Sequence, residues 1–185
     1  MIGQFAIREV LEADLDGLAR VVVNTVRFGY RGYFPDDFLE ALTPEKERES
    51  RRLAILVPGS FCFAAIDESQ QQIVGLAYGA PRKGLNQFNR SVLEDLYVLP
   101  NYQGFGIGAE LFWAFAAEHQ KHGRKDLLAR SFIDHPSSAF YEYMGGKLLT
   151  LAPRLFGSKK VNELEYMWEL DDLRRLRRAT KSGHG

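Results

Sequence analysis

The chain has 185 residues, 45% of them hydrophobic and 26% charged, which suits one folded domain with a sizeable core and excludes a disordered or fibrous class. Lys plus Arg and Asp plus Glu number 24 each, so no overall positive field exists to hold a polyanion, which argues against nucleic acid as the main partner. Cys62 is the only cysteine, so an intrachain disulfide is excluded and a reducing, cytoplasmic setting is expected. The N-terminal M-I-G-Q-F-A-I-R-E-V lacks the basic and apolar regions of a secretion signal, and no apolar run nears the roughly 18 residues of a membrane helix.

In chain order, F-A-I-R-E-V (5–10) alternates like an opening strand. Leu15, Leu18, Ala19, Val22 and Val26 then recur at helical spacing, with Asp14 placed to cap. Residues 27–37 break that period with two glycines, a proline and four aromatics. Thr43-Pro44-Glu45 opens a second helix, since Thr caps well and Pro suits a first turn. F-C-F-A-A-I (61–66) and I-V-G-L-A-Y-G (73–79) form a predicted hairpin across D-E-S-Q-Q-Q. V-L-E-D-L-Y-V-L is a third strand, stopped by Pro100.

A helix from about 107 to 122 follows, with Ile107, Leu111, Phe112 and Phe115 as its apolar stripe and Gly123 as its stop. D-L-L-A-R-S-F is a strand, P-S-S-A-F-Y-E-Y-M a short helix. Leu164, Tyr166, Trp168 and Leu170 alternate with polar neighbours in a half-buried antiparallel strand. Strands and helices in this order give a mixed α/β sheet. The tail, D-L-R-R-L-R-R-A-T-K-S-G-H-G, reads as a basic, solvated and frayed end.

Gln103-Gly104-Phe105-Gly106-Ile107-Gly108-Ala109 joins a strand to a helix. Its three glycines allow close backbone approach, and the helix start offers unpaired N–H groups, which together suit a diphosphate. The plainer alternative is a tight turn alone. Residues 104–109 also satisfy a dinucleotide fingerprint, but that motif expects an acid at the far end of the next strand, and Asp126 opens that strand instead. No Gly-Lys-Ser/Thr follows, so a Walker loop is excluded.

L-Y-V-L-P-N-Y-Q-G-F-G-I-G-A-E-L resembles the acetyl-CoA loop of the GNAT superfamily, with Gln103, Gly106 and Gly108 at its defined positions. D-H-P-S-S-A-F-Y-E-Y-M-G-G is similar to the second family segment, and R-G-Y-F-P-D-D-F-L-E-A-L to bacterial members with Gly-x-x-Pro-Asp-Asp. The resemblance implies a single-domain α+β fold over residues 1–170. Its sheet would be mixed, mostly antiparallel, of about six to seven strands with about four helices, and residues 171–185 a flexible tail. It implies an N-acetyltransferase that uses acetyl-CoA on an amine acceptor, small molecule or protein, and a homodimer is compatible with it. A non-catalytic acyl-CoA-binding module of the same fold is the alternative.

The resemblance further implies that backbone groups of Leu96, Tyr97 and Val98 bind the pantetheine arm. The N–H groups of Gly104, Phe105, Gly106, Ile107, Gly108 and Ala109 would hold the pyrophosphate, joined by Gln103, Asp134, Ser137 and Tyr141. Tyr141 matches the proton donor to the leaving thiolate, against a reading as core packing. The family's usual base is missing at the position Val92 occupies. Glu94, which strand alternation puts on the same side as Val92, and a water chain are the two candidates for deprotonating the amine, with Asp95 facing the other side.

Phe28, Tyr30, Tyr33 and Phe34 lie where the family places its acceptor loops, and read equally as an amine clasp or as packing. Cys62, between two phenylalanines, reads as core. The four histidines show no metal spacing, and His135, adjacent to Asp134, reads as surface loop, with a place in the lining of the cofactor site as the alternative.

Overall fold

The computed structural model describes residues 4–82, 89–156, 159–173, 175, 177 and 178. Seven strands, β1 (Phe5–Glu9), β2 (Phe61–Asp67), β3 (Gln72–Pro81), β4 (Arg90–Val98), β5 (Asp126–Phe132), β6 (Lys147–Phe156) and β7 (Lys159–Glu169), form one sheet in the order β1-β2-β3-β4-β5-β7-β6. Only β4 and β5 run parallel, and the crossover between them is the helix α4 (Ile107–Lys121). Helices α1 (Leu15–Gly29), α2 (Asp36–Ala41) and α3 (Pro44–Ala54) precede β2, and α5 (Pro136–Tyr143) follows β5.

The sheet separates two cores. On one face Ile107, Leu111, Phe112 and Phe115 of α4 pack on Ala65, Ala77, Leu93, Leu127 and Trp168. On the other, Leu15, Leu18, Val22 and Val26 of α1 meet Cys62, Ala64, Leu76 and Tyr78. The alternation read in β7 holds, since Leu164, Tyr166 and Trp168 are all buried. Gly123 takes φ +75°, the left-handed stop expected after α4. Thr43 Oγ1 accepts the Lys46 N–H at 3.3 Å, the cap its sequence position predicts.

One local expectation is corrected. Asp14 does not cap α1; its carboxylate is held by Arg8 at 2.6 Å and by the Leu11 N–H at 2.7 Å, which closes the preceding 3-10 turn instead. The described α-helices number five, in keeping with the expected mixed sheet flanked by helices; the shortest, Asp36–Ala41, coils after Pro35 with both acids in its first turn. Past residue 170, Leu173 is 6% exposed within the α4-side core, and Arg177 pairs with Glu110 of α4 at 2.7 Å. Residues 174, 176 and 179–185 of the expected frayed tail lie outside the described residues. No described helix is long and apolar enough to cross a membrane.

His119 of α4 is fully buried, with Nδ1 2.7 Å from Ser91 Oγ. Burial, followed by the nearby Arg124 charge, lowers its pKa to about 4. The unfolded chain therefore takes up a proton below about 6.5 that the folded chain refuses until about 4. Stability is expected to fall by on the order of 2 kcal/mol as pH drops through that window. Urea midpoints measured across it should decline less in His119→Gln, and parallel declines would remove the assignment.

Candidate active site

The site originates in β4. Its pairing with β5 ends at Leu93↔Ala129, whereas β4 continues to Val98 and β5 to Phe132, so the two strands part. A bulge accompanies the parting: Tyr78 of β3 faces Asp95 and Gly79 faces Leu93, leaving Glu94 without a partner. Gly79 is required at this point, because a Cβ there would lie 2.0 Å from the Val92 carbonyl oxygen.

Beyond the bulge, the Leu99 N–H donates to Val74 O at 2.9 Å. Since bonded and non-bonded pairs alternate along an antiparallel ladder, the backbone groups of Tyr97 face β3 while those of Val98 and Leu96 face the gap. Gln103 Nε2 donates to Val98 O at 2.9 Å, so its amide braces the turn against the strand end.

The glycine turn follows directly. Gly104 and Gly106 take φ +81° and +79°, and Gly106 caps the N-terminus of α4 in the left-handed region. A Cβ at either would meet nothing within 4 Å, so backbone conformation, not crowding, demands glycine.

Gap, turn and α5 enclose a cavity of about 680 Å³. Leu96, Tyr97 and Val98 form its strand wall, and Gln103, Gly104, Gly106, Ile107, Gly108 and Ala109 its turn. Thr25, Phe28, Gly29 and Tyr30 enter from α1, and His135, Ser137, Phe140 and Tyr141 from the β5–α5 side.

Tyr141 is 5% exposed, and its hydroxyl makes no hydrogen bond to a described residue. Burial, then the neighbouring Tyr30 and the Asp95 charge, push its pKa well above the usual phenol value. Tyr30 is pushed up to about 12, by burial and then Asp95. Both remain protonated at neutral pH, as donors and never bases.

His135 caps α5. Its Nδ1 accepts the Ser137 N–H at 3.1 Å and lies 2.7 Å from Ser137 Oγ, which in turn is 2.6 Å from Ser131 Oγ. An Nδ1 that accepts an N–H is unprotonated, and burial lowers the pKa of the ring, so His135 is neutral.

The model of the acetyltransferase (GNAT) family matches residues 25–145. The chain belongs to that family. Among solved structures it is similar to the ribosomal-protein-alanine N-acetyltransferase of Brucella melitensis, at 22% identity over 89% of this chain and 99% of that one, with a TM-score of 0.73. PaiA N-acetyltransferase of Thermoplasma acidophilum, solved with coenzyme A, matches at 16% identity over 89% and 99%, with a TM-score of 0.65. YncA of Salmonella typhimurium, solved with acetyl-CoA, matches at 16% identity over 91% and 95%, with a TM-score of 0.68. At these identities the shared property is the fold.

The GNAT segments named from sequence meet at this cavity, with exceptions. Phe105 points outward at 55% exposure and lines a smaller neighbouring pocket with Trp113. Asp134 is exposed at φ +64° and is not part of the wall; its neighbour His135, read from sequence as surface, is buried there in its place. Tyr97 contributes its side chain, its backbone being turned to β3.

Of the aromatic segment, Phe28 and Tyr30 line the cavity. Tyr33 stacks on Phe132 at 5.4 Å and Phe34 on Tyr30 at 5.0 Å, which is packing behind the wall. Glu94 is exposed at the bulge and outside the described lining. Cys62 is buried in the α1-side core with its thiol pushed up to about 12, first by burial.

Proposed function

We propose that the protein is an N-acetyltransferase that uses acetyl-CoA and passes the acetyl group to an amine by direct attack. The observation that carries this reading is the parting of β4 from β5 over a cavity that ends in the glycine turn and contains Tyr141. The residues fit the cofactor. The free N–H and C=O of Leu96 and the free N–H of Val98 suit an amide-bearing arm laid along the gap as an added strand. The open backbone of Gly104 to Ala109, at the positive end of α4, suits a pyrophosphate.

When bound, acetyl-CoA supplies an activated thioester carbonyl. Tyr141, protonated and with no hydrogen bond to a described residue, donates a proton toward the leaving sulfur. The apolar wall of Leu96, Ile107 and Phe140 favours the neutral form of the amine. Cys62, buried and un-ionised, is no acyl carrier, which supports direct transfer. His135 carries its proton on Nε2 and has Nδ1 engaged, so it is not the base. The amine proton leaves through water to Glu94, exposed on the bulge.

Glu94→Gln is therefore expected to lower kcat/KM about tenfold near pH 7 and to change the acid side of its pH profile. An unaltered profile would assign the proton to solvent alone. One observation favours the binding-module alternative: no carboxylate is among the described residues that line the cavity. Release of free thiol from acetyl-CoA across a panel of α-amines, lysine-type amines and polyamines tests the choice. Amine-dependent release supports the enzyme; saturable binding with no release over the panel would establish the module.

A further inference from the structure

The bulge in β4 is held from outside the cavity. Arg51 of α3 forms a hydrogen-bonded ion pair with Asp95, the residue that follows the unpaired Glu94, and its Nε lies 2.7 Å from Glu47 Oε1. All three side chains are largely enclosed, at 12%, 16% and 10% exposure, unlike the surface pairs elsewhere on the chain. Arg51 also lies 5.4 Å from the ring centroid of Tyr78, which faces Asp95 across the ladder, and the Tyr78 hydroxyl donates to Ala54 O at 3.2 Å. Two ties thus fasten α3 to both strands at the one place where their register shifts.

The consequence is geometric. In an unbroken strand, Leu93 and Asp95 would share a face. Here Leu93 is in the α4-side core, while Asp95 meets α3 on the opposite face. The inserted residue produces that reversal, and with it decides that Leu96 and Val98, not Tyr97, present their backbone groups to the gap. A relaxed bulge would exchange those roles.

We propose that Arg51 and Asp95 are positioning residues, whose buried ion pair locks the β4 bulge and so turns the Leu96 and Val98 backbone groups into the gap. This rests on the reading of the gap as the acetyl-CoA site. Surface ion pairs contribute little, but a buried one broken on one side leaves an uncompensated charge, so its geometry is strongly held.

The test compares Asp95→Asn and Arg51→Lys with Arg48→Met, which removes an exposed pair from α3 to α1, Arg48 to Asp16 at 2.8 Å, that includes no residue of β4. Acetyl-CoA affinity by calorimetry, kcat and melting temperature are measured on each. Asp95→Asn is expected to raise the acetyl-CoA Kd about tenfold and to lower kcat, with Arg51→Lys between it and the parent and Arg48→Met like the parent. Lower melting temperatures with parental Kd and kcat in both bulge variants would overturn the proposal. Absence of acetyl-CoA binding by the parent protein would instead refute the site reading beneath it, so the two failures are distinguishable.

Discussion

Tyr141→Phe is expected to lower kcat about 100-fold while leaving acetyl-CoA affinity within a factor of about two. The hydroxyl is the one polar atom of a side chain otherwise packed by Phe140, Tyr166 and Trp168 at ring distances of 5.6, 5.8 and 5.6 Å. It bonds to no described residue, so its removal strands no donor or acceptor in the protein, and Phe keeps the packing. Stability should therefore change little, which separates this variant from a core defect. The mechanism requires the phenol to be protonated when the thiolate leaves, and burial with the Asp95 charge nearby ensures that. Steady-state turnover and calorimetry on the same preparation decide the matter. Turnover at the parental rate would remove Tyr141 from the chemistry.

Gly106→Val should weaken acetyl-CoA binding by about 100-fold, and the reason is conformational. The residue holds φ +79° as the cap of α4, and a branched side chain there costs on the order of 1 to 3 kcal/mol. A simple reading of the glycines would blame a side chain that fills the cradle, yet a Cβ at Gly106 meets nothing within 4 Å. The chain relieves the strain by leaving the left-handed region, and the N–H groups from Gly104 to Ala109 then cease to converge. Gly106→Ala should fall between the two, which a steric account does not require. Unchanged affinity in both variants would show that the turn does not hold the pyrophosphate.

The sequence makes the cradle legible because each of its features is local. Three glycines between a strand and an amphipathic helix prescribe a backbone shape whatever the rest of the chain does. The Phe-Tyr-Glu segment is similarly local, and Tyr141 is indeed in the wall opposite the strand. The bulge is different. A single extra residue in β4 leaves no pattern of its own, and its one trace is Gly79 on another strand, where close approach to Val92 forbids a side chain. Plain alternation sets Asp95 on the face opposite Val92 and Glu94 without a sign of the extra residue, and it gives no hint of Arg51, which is 44 residues from Asp95 along the chain.

His135 was only half legible, its place in the site being the lesser of two readings, for a related reason. Flanked by Asp134 and Pro136 it has the composition of a surface loop, but the positive φ of Asp134 turns the chain so that the imidazole, not the carboxylate, enters the wall. Helix α2 is the opposite case. Two acids after a proline are a helix-start signal, present in the sequence and masked by the aromatic run before it.

The most direct test of the central claim is calorimetric titration of the intact protein with acetyl-CoA, with NAD as the control. One-site saturable binding of acetyl-CoA, with no heat from NAD, is the predicted result. Absence of acetyl-CoA binding, or binding of NAD in its place, would contradict the assignment of the gap and the glycine turn as an acyl-CoA site.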